Sequence, residues 1–156
     1  MTTTMQGAVQ KATRDSGLET GEVSTTQAAI DARVRRQVQA LAANAAISIT
    51  RRNYRSFTAA TAPLEQFTDT NNNNVCDNNE PYVDDNNNNV RDQAGSTGQG
   101  SAKDTVLYTV SATYPRMFPL YRMIGIPSTT TVKATTIMNN QPYGDQVQAT
   151  VRHCNP

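Results

Sequence analysis

The sequence predicts an α+β fold, with N-terminal helices packed on an antiparallel four-stranded sheet and a long loop insertion between strands. Three observations predict it. Apolar residues recur at helical spacing as far as residue 45, and they alternate with polar ones in later stretches. Between these lies an acidic, Asn-rich island, residues 65–92, with neither period. The 156 residues make room for one ordinary domain. It divides into a helical part (1–45), a first strand region (46–65), tandem loops (66–95) and the remaining strands (102–156).

Taken in order, Met5, Ala8, Val9 and Ala12 fall at helical spacing, and Gly17 stands where a helix would close. Ser24 and Gln27 form a capping box for a second helix. Ile30, Val34, Val38, Leu41 and Ala45 then trace one face, while Arg33, Arg35 and Arg36 fall elsewhere, as on a solvated face. From Ala46 the period is two, with Ile47 and Ile49 alternating with polar residues. Val106, Tyr108, Val110, Ala112 and Tyr114 make the clearest strand. Thr129–Met138 is Thr-rich and β-branched, and Val147, Ala149 and Val151 give a last strand. Gly95 to Ser101 reads as a flexible return, and the apolar stretch around Met117–Leu120 as a turn-containing connection.

Charged residues are only 17% of the chain, so its polarity comes from 22 Thr and 15 Asn. The net charge of +1 hides an asymmetry. Residues 65–92 carry 7 acidic side chains against 1 basic and hold 10 of the Asn, while the flanking segments are mildly basic. A nucleic-acid binder needs a basic patch instead. No run of about 20 apolar residues is present to span a membrane. The first residues also lack the basic and apolar regions of a signal peptide.

Within the island, residues 69–77 read DTNNNNVCD and residues 84–92 read DDNNNNVRD, with seven of nine positions identical at an offset of 15. Written as a calcium loop, Asp69, Asn71, Asn73, the Val75 carbonyl and Asp77 occupy positions 1, 3, 5, 7 and 9, and Glu80 occupies position 12. Asp84, Asn86, Asn88, Val90 and Asp92 repeat the pattern. Calcium takes six to eight oxygens at roughly 2.3–2.6 Å, and alternate side chains on a curled loop converge on one point. Position 6 must turn with positive φ, which Asn74 and Asn89 tolerate best after Gly. In the second loop position 12 is Gly95, so a ligand must come from elsewhere, Asp85 and Glu80 being candidates. Two calcium ions are therefore expected. The many Asn ligands set the affinity near that of extracellular modules, about 10⁻⁴ to 10⁻³ M or somewhat tighter. The plainer alternative is an Asn-rich low-complexity linker, which would not keep Asp, Val and Asp in one register twice. Pro81 directly after position 12 excludes the exiting helix of an EF-hand, and Glu80-Pro81-Tyr82 reads as a hinge between loops.

Cys76 and Cys154 are the only cysteines and are expected to pair as one disulfide, two free thiols being the cytosolic alternative. His153 is the only histidine, and no phosphate-cradling Gly pattern opens a helix. The reading is of a protein that is not an enzyme.

These residues resemble the TadE-like proteins, minor pseudopilins of the tight-adherence (Tad) pilus system. The resemblance is carried by Asp69, Asn71, Asn73, Val75, Asp77, Glu80-Pro81-Tyr82, Asp84, Asn86 and Asn88, then by Gly98, Gly100, Ala102, Asp104, Val106 and Tyr108. It continues through Tyr114, Met117-Phe118-Pro119-Leu120, Gly125, Thr131 to Thr136 and Asn140-Gln141-Pro142-Tyr143, and the opening Met5 to Leu18 shares it. It implies a pilin-like fold and a structural role in assembling a Tad-type pilus or related secretion system. The implied partners are other pilin or pseudopilin subunits and the assembly machinery, with no nucleic acid. The implied place is the periplasmic or extracellular side of the bacterial inner membrane, or the cell surface within a pilus. Membrane contact is expected only through the family's N-terminal helix, which these residues lack. The competing expectation is a secreted, calcium-dependent adhesin-like or carbohydrate-binding module.

Overall fold

The computed structural model describes residues 7, 11, 24–116, 125, 127–140 and 144–155. It is α+β with a four-stranded antiparallel sheet. The elements are α1 (Ser24–Leu41), β1 (Ala46–Tyr54), α2 (Phe57–Thr61), β2 (Pro81–Asp84), β3 (Ser96–Thr97), β4 (Thr105–Pro115), β5 (Thr129–Asn139) and β6 (Thr150–His153). The four-stranded sheet runs β3-β1-β4-β5, and β2 pairs with β6 in a second sheet. Two compact units result, residues 1–51 with 107–138 and residues 52–106 with 139–156.

In the first unit the helical and alternating periods act as predicted. Ile30, Val34 and Val38 of α1 are buried, as are Tyr108, Val110 and Ala112 of β4 and Ala134 and Met138 of β5. Leu41, expected on the same helix face, is instead half exposed. Asp31 ties the helix to the strands. Arg51 donates to both its oxygens at 2.8 and 2.6 Å, and the Tyr108 hydroxyl donates to Oδ1 at 2.9 Å. Burial, then the hydrogen bond to Asp31, pushes the Tyr108 phenol well above its ordinary value. On the solvent side Thr109–Thr135 and Thr113–Thr131 pair across strands, which gives the Thr-rich pattern its use. Gly7 and Lys11 are helical, and the rest of the first predicted helix lies outside the described residues. So do the side chains of 24–26 in the capping box and the connection around Met117–Leu120.

The second unit departs from expectation in three places. Gly95 to Ser101 does not merely return the chain, because Ser96–Thr97 pairs with Asn53 and Arg52 as the sheet's edge strand. A Cβ on Gly95, whose φ is +112°, would stand 2.5 Å from the Tyr54 ring, so this close pairing needs glycine. Pro81-Tyr82 is the start of β2 rather than a hinge. The last strand joins β2, with Pro81 opposite His153 and Asp84 opposite Thr150, and does not enter the four-stranded sheet. Early in this unit Ser56 caps α2 by accepting from the Ala59 N–H.

Candidate metal centre

Both loops lie in the second unit, and their internal hydrogen bonds are the same bonds twice. In the first, Asp69 accepts from the backbone N–H groups of Asn73 at 3.2 Å and Asn74 at 2.8 Å. The side-chain oxygen of Asn71 accepts from Asn73 N–H, and that of Asn73 from Val75 N–H. The amide nitrogens of Asn71 and Asn73 each donate to Asp77 at 3.1 Å. Adding 15 to every number gives the second loop. There Asp84 accepts from Asn88 and Asn89, Asn86 from Asn88, Asn88 from Val90, and Asp92 from the amides of Asn86 and Asn88.

The backbone turns explain why Asn fills the loops. Asn74 and Asn89 have φ of 61° and 68°, at the position that a calcium loop reserves for such a turn, and Asn72 and Asn87 add a second at 59° and 56°. Asn enters this left-handed region several-fold more readily than most residues, and its side chain closes a local ring to the backbone two residues on.

The repeat extends further upstream than the nine-residue match. Glu65-Gln66-Phe67-Thr68 stands 15 residues before Glu80-Pro81-Tyr82-Val83. Phe67 forms an antiparallel bridge to Tyr82, its own repeat counterpart. Thr68 N–H donates to Pro81 O and Val83 N–H to Gln66 O, both at 2.9 Å. These two bonds exchange when the repeats are exchanged, so the repeats face each other about a local two-fold axis.

Each loop is closed by a carboxylate at the same repeat position. Glu80 Oε1 accepts from the Thr70 N–H at 2.7 Å and hydroxyl at 2.9 Å, and Oε2 from the Asp77 N–H at 3.3 Å. Burial pushes this carboxyl up, but the bonds from Thr70, Asp77 and Asn71 outweigh it and leave it below its ordinary value. At the second loop the closing group is Glu65. Its Oε1 accepts from Asp85 N–H at 2.8 Å, and its own N–H donates to Asp92 O, as Glu80 N–H does to Asp77 O.

Glu65, and not Asp85 or Glu80, makes these hydrogen bonds at the second loop. The Asp85 side chain turns to Arg55 at 3.5 Å, and Glu80 stays with the first loop. The sequence carried a signal for Glu65, namely its offset of 15 from Glu80, had the repeat been followed four residues upstream.

Glu65 is 1% exposed, and its Oε2 is buried without a hydrogen-bond partner. Burial raises its carboxyl above the ordinary value, the Asp85 and Asn86 N–H groups oppose this, and the charges of Asp84 and Asp92 add to it.

Cys76 and Cys154 are joined in a disulfide with a Cα–Cα distance of 5.7 Å. It ties the first loop to the residue after β6, where Cys154 N–H also donates to Glu80 O at 2.9 Å. At the equivalent place in the second loop, Arg91 lies over the Phe67 ring at 4.4 Å and donates to Glu65 O at 3.0 Å. Between the loops is an open groove of 570 Å³ whose lining includes Val75, Val90, Tyr82 and His153.

Among the described residues no three His, Cys, Asp or Glu side chains form a ready metal cluster. Among the described residues, no helix is long and apolar enough to cross a membrane. Compared with protein-family models, curated proteins and solved structures, the chain matches none of them.

Proposed function

We propose that the chain is a structural component of a Tad-type pilus or related secretion system, the extracytoplasmic part of a TadE-like pseudopilin whose second unit is pinned by two calcium ions. The observation that carries the metal is the duplicated network. Twelve hydrogen bonds in two loops hold Asp69 with Asp77 and Asp84 with Asp92 around the same curled backbone. The N–H groups that now meet Asp77 and Asp92 are weak donors compared with a divalent ion. Asn71, Asn73, Asp77, the Val75 carbonyl and Glu80 would hold the first ion with Asp69. Asn86, Asn88, Asp92 and the Val90 carbonyl would hold the second with Asp84. The ions fix loops that have little apolar core, and the disulfide suits an oxidising compartment.

The pilus assignment rests on the sequence resemblance between Phe67 and Tyr143. A secreted adhesin-like module that presents calcium to a ligand is a second reading, favoured by the groove with Val75 and Val90 exposed at equivalent places. The upstream coding sequence separates them: an apolar pilin-like helix supports the first and a cleavable signal peptide the second. The metal is tested by melting with and without chelator. At about 100-fold excess over Kd, each site should add roughly 2.7 kcal/mol. Identical melting in millimolar calcium and in chelator would remove calcium from this reading.

A further inference from the structure

We infer that Glu65 is the closing ligand of the second calcium site, so that the two ions are held as a reciprocal pair across the repeats. The inference rests on the calcium reading above and adds to it a ligand and a coupling.

A buried carboxylate oxygen without a donor is costly, and native structures rarely keep one without a reason. Glu65 Oε2 is such an atom, and its residue is fixed against the second loop, Oε1 accepting from Asp85 N–H at 2.8 Å and the Glu65 N–H donating to Asp92 O at 2.9 Å. A cation at the second loop would give Glu65 Oε2 the partner that it lacks. Its counterpart Glu80 occupies the same repeat position at the first loop with donors on both oxygens. The first loop is thus satisfied in part by its own backbone, and the second has one acceptor open.

The coupling follows from the connections. Glu65 belongs to the first repeat and closes the second loop, while Glu80 begins the second repeat and closes the first. Both approach through one pair of backbone bonds, Thr68 N–H to Pro81 O and Val83 N–H to Gln66 O. An ion that fixes Glu65 fixes the Gln66–Thr68 segment, and this segment holds β2, whose first residue follows Glu80. The second ion then meets a closing carboxylate already in place, so it loses less conformational freedom on binding.

The test is a calcium titration of the intact chain followed by NMR. The backbone amides of Asn74 and Asn89, which donate to Asp69 and Asp84, report one loop each. In the wild type both should shift, and Glu65→Gln should raise the calcium midpoint of Asn89 about tenfold or more, on the order of what metal sites lose when a supporting group is removed. The midpoint of Asn74 should rise by a smaller factor. Glu65→Asp keeps the charge but shortens the reach, and serves if the Gln variant does not fold. An Asn89 midpoint within twofold of wild type in the folded variant would overturn the role of Glu65, with calcium binding intact. An unchanged Asn74 midpoint beside a raised Asn89 one would overturn the coupling. Amides that do not shift in the wild type would remove the calcium reading and this inference with it.

Discussion

The two loops share a local code and differ in how they are anchored. In the first, Asn71 to Val75 are all exposed and Asp69 is partly so. Its tie to β6 is covalent, through Cys76. In the second, Asp84 is fully buried and accepts from Arg152 at 2.6 Å. Asn87 donates to Gln148 O and accepts from the Thr150 hydroxyl, so this loop is stitched to the last strand by side chains. The comparison teaches that Asp and Asn spacing sets the shape of such a loop, while its stability comes from whatever lies beside it. One repeat position shows the choice, Cys76 in one copy and Arg91 in the other.

The largest expected effect comes from removing the covalent tie. The disulfide spans a sequence separation of 78, and the chain-entropy account puts its contribution at up to roughly 4–5 kcal/mol. Cys76→Ser with Cys154→Ser should lower the urea midpoint accordingly. Hydrogen exchange should also show protection lost first at Asn73 and Asn74 and kept longer at Asn88 and Asn89. Equal loss in both loops would break the comparison. Next in size is the contrast between the leading aspartates. Asp84→Ala removes the acceptor of two backbone N–H groups and a guanidinium at a buried site, and should cost about 2–4 kcal/mol. Asp69→Ala, in the more exposed copy, should cost about 1 kcal/mol. Similar losses in calcium-free urea titrations would mean that burial does not separate the loops.

Much of this was legible in the sequence, and the failures share a cause. The period-two pattern located β4 because one face of that strand is buried along its length, at Val106, Tyr108, Val110 and Ala112. The helical period found α1 for the same reason. The pairing of the last strand was not legible. Thr150 to His153 looks the same whether it joins the large sheet or β2, since periodicity records a buried face and not a partner. Ser96–Thr97 is too short for any period, and its place depends on a close approach to Tyr54 that glycine permits. Pro81 reads as a break, yet it begins a strand, where its missing N–H costs least. The turns of the two loops were legible because their geometry is local. Glu65 was missed because a closing group supplied from another repeat leaves no mark within the loop that it closes.

A smaller effect probes the anchor opposite the disulfide. Arg91→Ala removes a stacked guanidinium and one hydrogen bond to Glu65 O, worth together about 1–2 kcal/mol. Arg91→Lys should recover only part of this, because an ammonium loses the planar stack. The loss should be read at the Asp85 amide, whose bond to Glu65 depends on that segment. An Asp85 amide as well protected as in the wild type would show that Arg91 does not position Glu65.

The finest contrast is a sign. In calcium-free protein the Glu65 carboxyl lies above its ordinary 4.5, chiefly through burial, so its protonated form is favoured on folding. That contribution is fully present below 4.5 and is lost as pH rises through the raised folded value. Glu80 lies below 4.5, because the hydrogen bonds to it outweigh its burial, and its contribution is present above 4.5 and lost as pH falls through the folded value. In chelator at neutral pH, Glu65→Gln should therefore stabilise the chain slightly, because it replaces a buried, under-partnered charge with a neutral amide of similar size. Glu80→Gln should destabilise it under the same conditions. Calcium should reverse the first sign and leave the second, since the charge that is unfavourable in the empty loop is the one that an ion needs. Urea midpoints of the two variants, each with chelator and with calcium, make the comparison. A Glu65→Gln variant destabilised to the same extent in both would mean that this carboxylate serves packing and not the ion, and the two loops would then differ only in what surrounds them.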